Sequence, residues 1–205
     1  MPYSTLHKVF ATTILSALAM ISAVARAQAT PGSAFVSANI GYYHTAVTVK
    51  GEGMENFNRY TVGASGGYNL TKYVGVMGDF NYQPMQNRDI QNLYTLSYSG
   101  GARVYAPAYE LAIPYAVVTV GSARLTSTAA ATNTSYNGVA IGMGGGALVH
   151  VGNNWGFNPE IRYQYSKFNN TGAGDLQPNT ILMTAGVFYE FGGAKKVSAK
   201  KAFKK

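Results

Sequence analysis

Two histidines and a small set of charged side chains are the residues of this chain that could take part in chemistry. The chain has no cysteine, and beyond its first 29 residues the histidines are His44 and His150. A hydrolytic site needs a nucleophile, a base and an orienting acid within reach of one another. No serine or acid stands at a recognisable spacing from His44, and His150 falls beside a short turn. We therefore expect no enzymatic activity and no catalytic residue.

Metal and phosphate chemistry also have little support in the sequence. Glu52 and Glu55 are too few for a closed cation site. The glycine-rich run at 142–146 lacks the Lys-Ser/Thr pair and the following helix of a phosphate-binding loop. We expect no metal site and no cofactor. We interpret the glycines as residues that relieve crowding or permit bending within a strand.

Five charged residues recur on one side of segments in which apolar and polar residues alternate. They are Asp79, Arg103, Glu160, Arg162 and Glu190. Unpaired charges inside an enclosed interior are costly, so we expect these residues to form a luminal ion-pair network. Such a network could simply pack and close the interior. It could also gate a narrow pore whose conduction requires the pairs to rearrange, and the sequence leaves both interpretations open.

The elements that must position these charges are β-strands. Alternation with a period of two runs through the chain after residue 33, without a helical period. Eight strands are predicted, at about 34–49, 57–69, 72–83, 92–106, 109–125, 136–151, 154–168 and 179–192. Each reaches the ~9–11 residues that a tilted strand needs to cross a bilayer. Short turns alternate with longer polar loops, which predicts an all-β, eight-stranded antiparallel up-and-down transmembrane β-barrel with both termini on the periplasmic side.

Composition indicates which face of the strands meets lipid. Only 12% of the residues are charged, whereas a soluble surface usually needs ~25–35%. The bulky apolar set would also crowd the interior of an eight-stranded barrel. Aromatic residues are predicted to form two outward girdles, as expected at membrane interfaces. Towards the long loops these are Tyr60, Phe80, Tyr82, Tyr94, Tyr136, Tyr163 and Tyr165, and towards the short turns Tyr68, Tyr73, Trp155, Tyr189 and Phe191.

The net charge of +8 divides between the two ends of the chain. Residues 1–29 have a basic start, an apolar run and small-x-small motifs, which predicts a signal peptide cleaved after residue 27 or 29. A lysine-rich periplasmic tail is predicted at 194–205. The barrel, predicted at 30–193, is left formally neutral, so the basic pI indicates no nucleic-acid partner. We expect the tail to bind anionic envelope polymers or lipid headgroups.

Three stretches of the chain resemble the small outer-membrane barrel family typified by the OmpA transmembrane domain. The stretch 67–80 is similar to the first periplasmic hairpin of that family, and 156–163 to its penultimate strand. The stretch 184–191 resembles its final-strand assembly signal, carried here by Thr184, Gly186, Tyr189 and Phe191. The resemblance implies recognition by the barrel assembly machinery. In the family the last aromatic residue is usually the C-terminal one, whereas here two glycines and the tail follow it.

The expected location is the outer membrane of a diderm, Gram-negative-type bacterium, with the lipid bilayer as partner. The expected function is structural, in the integrity of the cell envelope, with a narrow or gated pore as a possible addition. The alternative is a surface adhesion or interaction protein that acts through its extracellular loops. Those loops are predicted at about 50–56, 85–92, 126–135 and 169–179.

Overall fold

The computed structural model describes residues 29–49, 54–85, 93–107, 112–129, 132–152, 154–171 and 174–192. These residues form the strands β1 (Ser33–Val49), β2 (Met54–Asn69), β3 (Val74–Pro84), β4 (Leu93–Tyr105), β5 (Ala112–Ala129), β6 (Thr132–His150), β7 (Trp155–Phe157), β8 (Glu160–Thr171) and β9 (Gly174–Gly192). No helix among them is long and apolar enough to cross a membrane. The predicted signal segment up to residue 28, the tail 194–205 and parts of the longer loops lie outside the described residues.

Each strand pairs antiparallel with its neighbour, and the sheet closes on itself. β1 pairs with β9 from Ser33↔Gly192 to Val49↔Leu176. β7 and β8 both lie between β6 and β9, so the nine segments occupy eight positions of one ring. The predicted eight-stranded antiparallel barrel is confirmed. Closure matters because a ring leaves no sheet edge with unsatisfied backbone groups, which lipid could not hydrogen-bond.

The penultimate strand is interrupted, whereas the sequence predicted it as continuous over 154–168. Asn158 and Gly186 still exchange backbone hydrogen bonds, at 2.9 and 3.3 Å. Pro159 has no N–H to donate to the ladder, and its carbonyl accepts from Ala147 N at 3.1 Å. The missing donor separates β7 from β8 without opening the wall, because the neighbouring residues keep their partners.

The two faces of the sheet differ as the alternation predicts. Apolar side chains point outward over the middle of the ring, where Ile40 is 64% exposed and Val120 61%. The aromatic residues predicted for the short-turn girdle are all exposed on this face: Tyr68, Tyr73, Trp155, Tyr189 and Phe191. The outer wall is therefore an apolar band with an aromatic rim.

One residue assigned to the outer girdle points the other way. Tyr136 is paired with Leu125 on β5 and packs against an apolar cluster inside the barrel. Its parity is that of Ala140 and Gly142, which also face inward. The assignment to the lipid-facing girdle was wrong, because bulky aromatic residues were expected to face outward, whereas the parity of β6 directs Tyr136 into the barrel.

Candidate functional site: a charged cluster in the lumen

Arg162 is the centre of a charged cluster inside the barrel. It projects from β8 and meets Asp79 on β3, with Nη1 2.8 Å from Asp79 Oδ2. Its Nε and Nη2 lie 2.9 and 2.6 Å from Glu160 Oε1. One guanidinium thus bridges two carboxylates, all three side chains being almost fully enclosed. Charged hydrogen bonds of this kind are the strong ones in proteins.

Arg103 joins the cluster through aromatic faces more than through hydrogen bonds. Its Nη2 is 3.6 Å from Glu160 Oε2, and its Nε and Nη1 have no hydrogen-bond partner. The guanidinium carbon instead lies 4.8 Å from the ring centroid of Phe35 and 4.5 Å from that of Tyr115. Tyr115 also donates a 2.7 Å hydrogen bond to Glu160 Oε2. Two aromatic faces therefore hold a cation that one carboxylate only partly satisfies.

Amides and hydroxyls frame the charged groups. Asn81 Nδ2 donates to Asp79 Oδ1 at 2.9 Å. Ser37 Oγ lies 2.8 Å from Asn39 Oδ1 and 3.1 Å from Asn158 Oδ1, and its single proton can be donated to either oxygen. Asn158 Nδ2 donates to Asn39 Oδ1 at 3.2 Å. With two cations and two carboxylates the cluster is formally neutral, which reduces the cost of enclosing it.

The glycine-rich run at 142–146 gives this cluster its space. A Cβ on Gly142 would lie 3.2 Å from Arg162 Cδ, and one on Gly146 would lie 2.7 Å from the Tyr115 hydroxyl. Both glycines are on β6, beside β8 and β5 in the ring. The run therefore belongs to the lumen, where small residues make room for the large charged ones.

Glu190 makes its described contacts in a second group, nearer the short turns. Its Oε2 is 3.3 Å from His150 Nε2, and Asn69 Nδ2 donates to its Oε1 at 3.5 Å. The hydroxyl of Tyr105 donates to Asn69 Oδ1 at 2.7 Å. Four of the five predicted network residues thus meet in one cluster, and Glu190 has His150 and Asn69 as partners that the sequence analysis did not assign.

Apolar side chains fill the lumen above and below the charged cluster. Towards the short turns these are Ala29, Phe35, Met77, Tyr105, Ile113, Tyr115, Val117, Leu148 and Phe188. Towards the long loops they are Tyr43, Val47, Phe57, Met85, Ala123, Leu125, Ala140, Phe168 and Leu182. Sequence reasoning expected small and polar residues here and missed these aromatics. The period-two parity that placed Arg103 inside also places Tyr105 inside, and could have found it.

Little open space remains in the described lumen. A cavity of about 20 Å³ borders Arg103, Asp79 and Ser65, whose Oγ has no hydrogen-bond partner. A second cavity, of about 10 Å³, lies among Gln83, Gln164 and their neighbours. Volumes of this size hold about one water molecule each. Buried charged and apolar side chains thus occupy much of the described lumen.

The predicted assembly-signal residues lie along β9, on both of its faces. Gly186 faces the lumen, where an added Cβ would lie 2.0 Å from Asn39 Oδ1 and 2.4 Å from Asn158 Oδ1. Thr184 borders the 20 Å³ cavity. Tyr189 and Phe191 are exposed outside, with ring centroids 4.8 Å apart. The predicted signal residues thus include Gly186, which has no room for a side chain, and the outward aromatic pair Tyr189 and Phe191.

His44 on β1 is hydrogen-bonded to an amide on the neighbouring strand. His44 Nδ1 is 2.6 Å from Asn58 Oδ1 on the neighbouring strand, on the exposed side. Among the described residues no group of three or more metal-binding side chains occurs. The ion pairs given for the described residues lie in the lumen.

A closed ring of membrane-length strands, with an apolar outer wall and a packed charged lumen, defines an outer-membrane β-barrel. The chain belongs to the outer membrane protein beta-barrel domain family, whose pattern matches residues 13–191. It is accordingly a protein of the outer membrane of Gram-negative bacteria and lies in the lipid bilayer. No curated protein sequence matches the chain.

Solved structures of small outer-membrane barrels share this fold. Neisserial surface protein A is 16% identical, with a TM-score of 0.65 over 78% of this chain and 99% of its own. The N-terminal barrel domain of OprF from Pseudomonas aeruginosa is 14% identical, with a TM-score of 0.52 over 79% and 99%. The attachment invasion locus protein Ail of Yersinia pestis, in complex with a heparin analogue, is 21% identical, with a TM-score of 0.50 over 78% and 99%. At these identities the likeness concerns the fold.

Proposed function

We propose that this protein is a structural component of the outer membrane that supports the integrity of the cell envelope with a lumen closed at rest. The observation that carries the proposal is the filling of the lumen. A neutral charged cluster lies between two apolar clusters, and the described cavities hold about one water molecule each. A barrel filled in this way transmits load between its strands without passing solutes.

Planar-bilayer recording of the refolded full chain tests this proposal. Heat-modified migration on a gel first establishes that the barrel has formed. We then expect a conductance no greater than that of a bilayer without protein. A steady conductance that a folded preparation shows reproducibly would contradict the closed lumen. For the envelope role, cells that lack the protein should become more sensitive to detergent, and the intact gene should restore resistance.

A gated pore is a second candidate, and the weak coordination of Arg103 favours it. One ion pair of 3.6 Å holds this guanidinium, two of its nitrogens lack a hydrogen-bond partner, and a water-sized cavity adjoins it. If Arg103 moves away, the path beside Arg162 widens. The pore predicts rare openings in the wild type whose frequency rises in Arg103→Gln. Equal, near-zero conductance in both proteins counts against it.

Adhesion through the extracellular side is a third candidate, favoured by the length of the strands. β5 and β6 remain paired up to Ala129↔Thr132, well beyond the apolar outer residues Val120 and Ile141. The hairpin thus projects a polar β-ribbon past the lipid boundary. Replacing residues 126–135 with a short Asn-Gly turn should abolish binding to host cells if this ribbon is adhesive. Unchanged binding would rule the ribbon out.

For assembly, we propose recognition of β9 by the barrel assembly machinery through Thr184, Gly186, Tyr189 and Phe191. The exposed Tyr189–Phe191 pair supports this, because it offers an aromatic surface at the short-turn end. Phe191→Ala should reduce crosslinking of the nascent chain to the machinery. Phe157→Ala, an outward aromatic residue on β7, is the matched control. An equal loss in both variants would indicate a general hydrophobic effect.

The basic tail carries a separate proposal, namely binding of anionic envelope polymers. It rests on the six lysines between residues 195 and 205. The full chain should co-sediment with purified cell wall more strongly than a chain without residues 194–205. Equal co-sedimentation would exclude this role. We also propose that the protein is not an enzyme, and a lipase or protease activity lost in His44→Ala would overturn that.

A further inference from the structure

The residues just before β1 turn into the barrel at its short-turn end. Ala29 has no exposed surface and belongs to the apolar cluster of the lumen that contains Leu148 and Phe188. Thr30 is also buried, whereas the next two residues, 31 and 32, are exposed. Residues 29–32, here called the entry segment, therefore have one side against the luminal cluster and the other towards solvent.

Hydrogen bonds fix the entry segment to β1 and β2. The backbone N and the Oγ of Ser33 lie 3.2 and 2.7 Å from the backbone oxygen of Thr30, to which both donate. Gly32 N donates to the backbone oxygen of Asn69 at 2.8 Å, and Asn69 Nδ2 donates to Ser33 Oγ at 2.9 Å. Gly32 has a φ of +76°, which side chains with a Cβ rarely adopt. The turn is thus specified by its sequence and by its neighbours.

The entry segment covers polar groups that would otherwise stand at an open end of the barrel. Ser33 is the first residue of β1 and Asn69 is the last of β2, yet neither has any exposed surface. Both are hydrogen-bonded to the entry segment, and Asn69 also contacts Glu190 and Tyr105 further inside. The segment therefore shields this polar group and the apolar cluster at the short-turn end of the lumen.

The burial of Ala29 discriminates between the two motifs at which a signal peptide could be removed. The stretches 25–27 and 27–29 both have the small-x-small pattern. A cut after Ala29 would take a fully enclosed residue out of the cluster and leave a charged α-ammonium on Thr30, which is itself buried. Enclosing a charge is costly. A cut at the earlier motif keeps Ala29 and places the new charge on the residue before it.

We propose that the entry segment is a stopper for the short-turn end of the lumen, and that the signal peptide is accordingly removed at the Ala27–Gln28 bond. Hydrolysis of that peptide bond by a signal peptidase consumes one water molecule, leaves a carboxylate on Ala27 and gives Gln28 a new α-ammonium. The inference goes beyond the envelope role. Its tests measure processing and thiol reactivity, so their outcome is separate from that of the conductance experiment.

Terminal labelling of the protein isolated from outer membranes tests the processing site. Free amino groups are labelled before digestion at arginine, and the N-terminal peptide is sequenced by tandem mass spectrometry. We expect the labelled peptide 28–59, or the same peptide without label and lighter by one ammonia where the terminal glutamine has cyclised. A start at residue 30, or at any residue other than 28, overturns the assignment.

Cysteine labelling tests the stopper, because the chain has no cysteine of its own. Leu148→Cys places a thiol in the same cluster as Ala29, at a side chain that is 2% exposed. In the refolded chain that begins at Gln28, this thiol should react slowly with a water-soluble maleimide. In a chain that begins at Ser33 it should react at least about 10-fold faster, because the reagent no longer waits for a local opening. Ala29→Glu, which puts a carboxylate into the apolar cluster, should accelerate the reaction similarly without any truncation.

Matched variants make the thiol measurement specific. Ala29→Ser keeps a small side chain and should leave Leu148→Cys slow. Val151→Cys lies on an exposed turn and should react fast in every chain, whereas Leu182→Cys, in the apolar cluster towards the long loops, should stay slow in every chain. The stopper is overturned if truncation and Ala29→Glu leave Leu148→Cys slow, or if Leu182→Cys accelerates as much. Heat-modified migration confirms that each variant is folded.

Discussion

Arg162 and Asp79 are 83 residues apart in the sequence, and their side chains meet at 2.8 Å between opposite walls of the barrel. β3 and β8 occupy the third and seventh of the eight positions in the ring, so the ion pair lies along a diameter. Glu160 extends this tie to Arg103 on β4 and Tyr115 on β5. The cluster therefore fixes the distance between strands that are not neighbours in the sheet.

Removal of one carboxylate should destabilise the barrel strongly. Asp79→Ala leaves the guanidinium of Arg162 enclosed with Glu160 as its only remaining carboxylate, and breaking a buried pair in this way costs about 3–5 kcal/mol. The measurement is the free energy of unfolding by urea in lipid vesicles. Lys72→Ala, a charge removal at an exposed position, should change that free energy by less than about 0.5 kcal/mol. Equal effects of the two substitutions would show that the Arg162–Asp79 ion pair across the barrel does not stabilise the fold.

The two arginines of the cluster should not be equivalent. Arg162 makes contacts of 2.6–2.9 Å with two carboxylates, whereas Arg103 makes one contact of 3.6 Å. Arg162→Gln leaves Asp79 and Glu160 with an excess negative charge, while Arg103→Gln leaves Glu160 still bound by Arg162 and Tyr115. The same unfolding measurement should therefore give a loss at least about 1 kcal/mol greater for Arg162→Gln. The reverse order would refute the assignment of Arg162 as the centre.

The hydroxyl of Tyr115 should contribute separately from its ring. Tyr115→Phe removes the 2.7 Å hydrogen bond to Glu160 and keeps the aromatic face beside Arg103. A hydrogen bond to a charged group contributes about 1.5–3 kcal/mol, and we expect a loss of that size in the free energy of unfolding. Tyr98→Phe changes a lipid-facing hydroxyl and should have little effect. Tyr115→Leu should cost more than Tyr115→Phe, because the cation then also loses an aromatic face.

Gly186 should be the least replaceable glycine of the last strand. A Cβ there would lie 2.0 Å from Asn39 Oδ1 and 2.7 Å from the backbone oxygen of Ala38, so Gly186→Ala requires backbone and side chains to shift. We expect the heat-modifiable, folded fraction to fall several-fold. Gly100→Ala is the matched control, since its Cβ would meet nothing nearer than Met77 O at 3.8 Å. A folded fraction of Gly186→Ala equal to that of Gly100→Ala would show that the side chains of Asn39 and Asn158 can move to accommodate the added methyl group.

Local alternation predicted much of the fold, because the pleat of a strand sends neighbouring side chains to opposite faces. It located eight strands and the inward parity of Asp79, Arg103, Glu160 and Arg162. It could not show which charges meet. The contact between Arg162 and Asp79 depends on the closure and stagger of the ring, and no spacing along one strand encodes these quantities.

Two predictions from the sequence were wrong, those for Tyr136 and for the continuity of the penultimate strand, and each error has a physical cause. Tyr136 was assigned to the lipid side because bulky aromatic residues were expected to face outward. The interior instead accommodates Tyr136 and Phe168. A Cβ on Gly138 would lie 2.8 Å from Phe168 Cδ1, so this glycine leaves volume for the ring. The interruption at Asn158–Pro159 was missed because alternation continues through it. The lost N–H of Pro159 changes the hydrogen-bond ladder without changing the parity.

The chain has a single tryptophan, Trp155, on the lipid-facing side of the short strand β7. It is in register with Tyr189 on β9, the strand that also pairs with β1. Its indole therefore lies one strand from the seam at which the cylinder closes. Its intrinsic fluorescence reports, without any label, when this seam enters lipid. Quenching by brominated acyl chains at graded depths would time the completion of insertion in the native sequence.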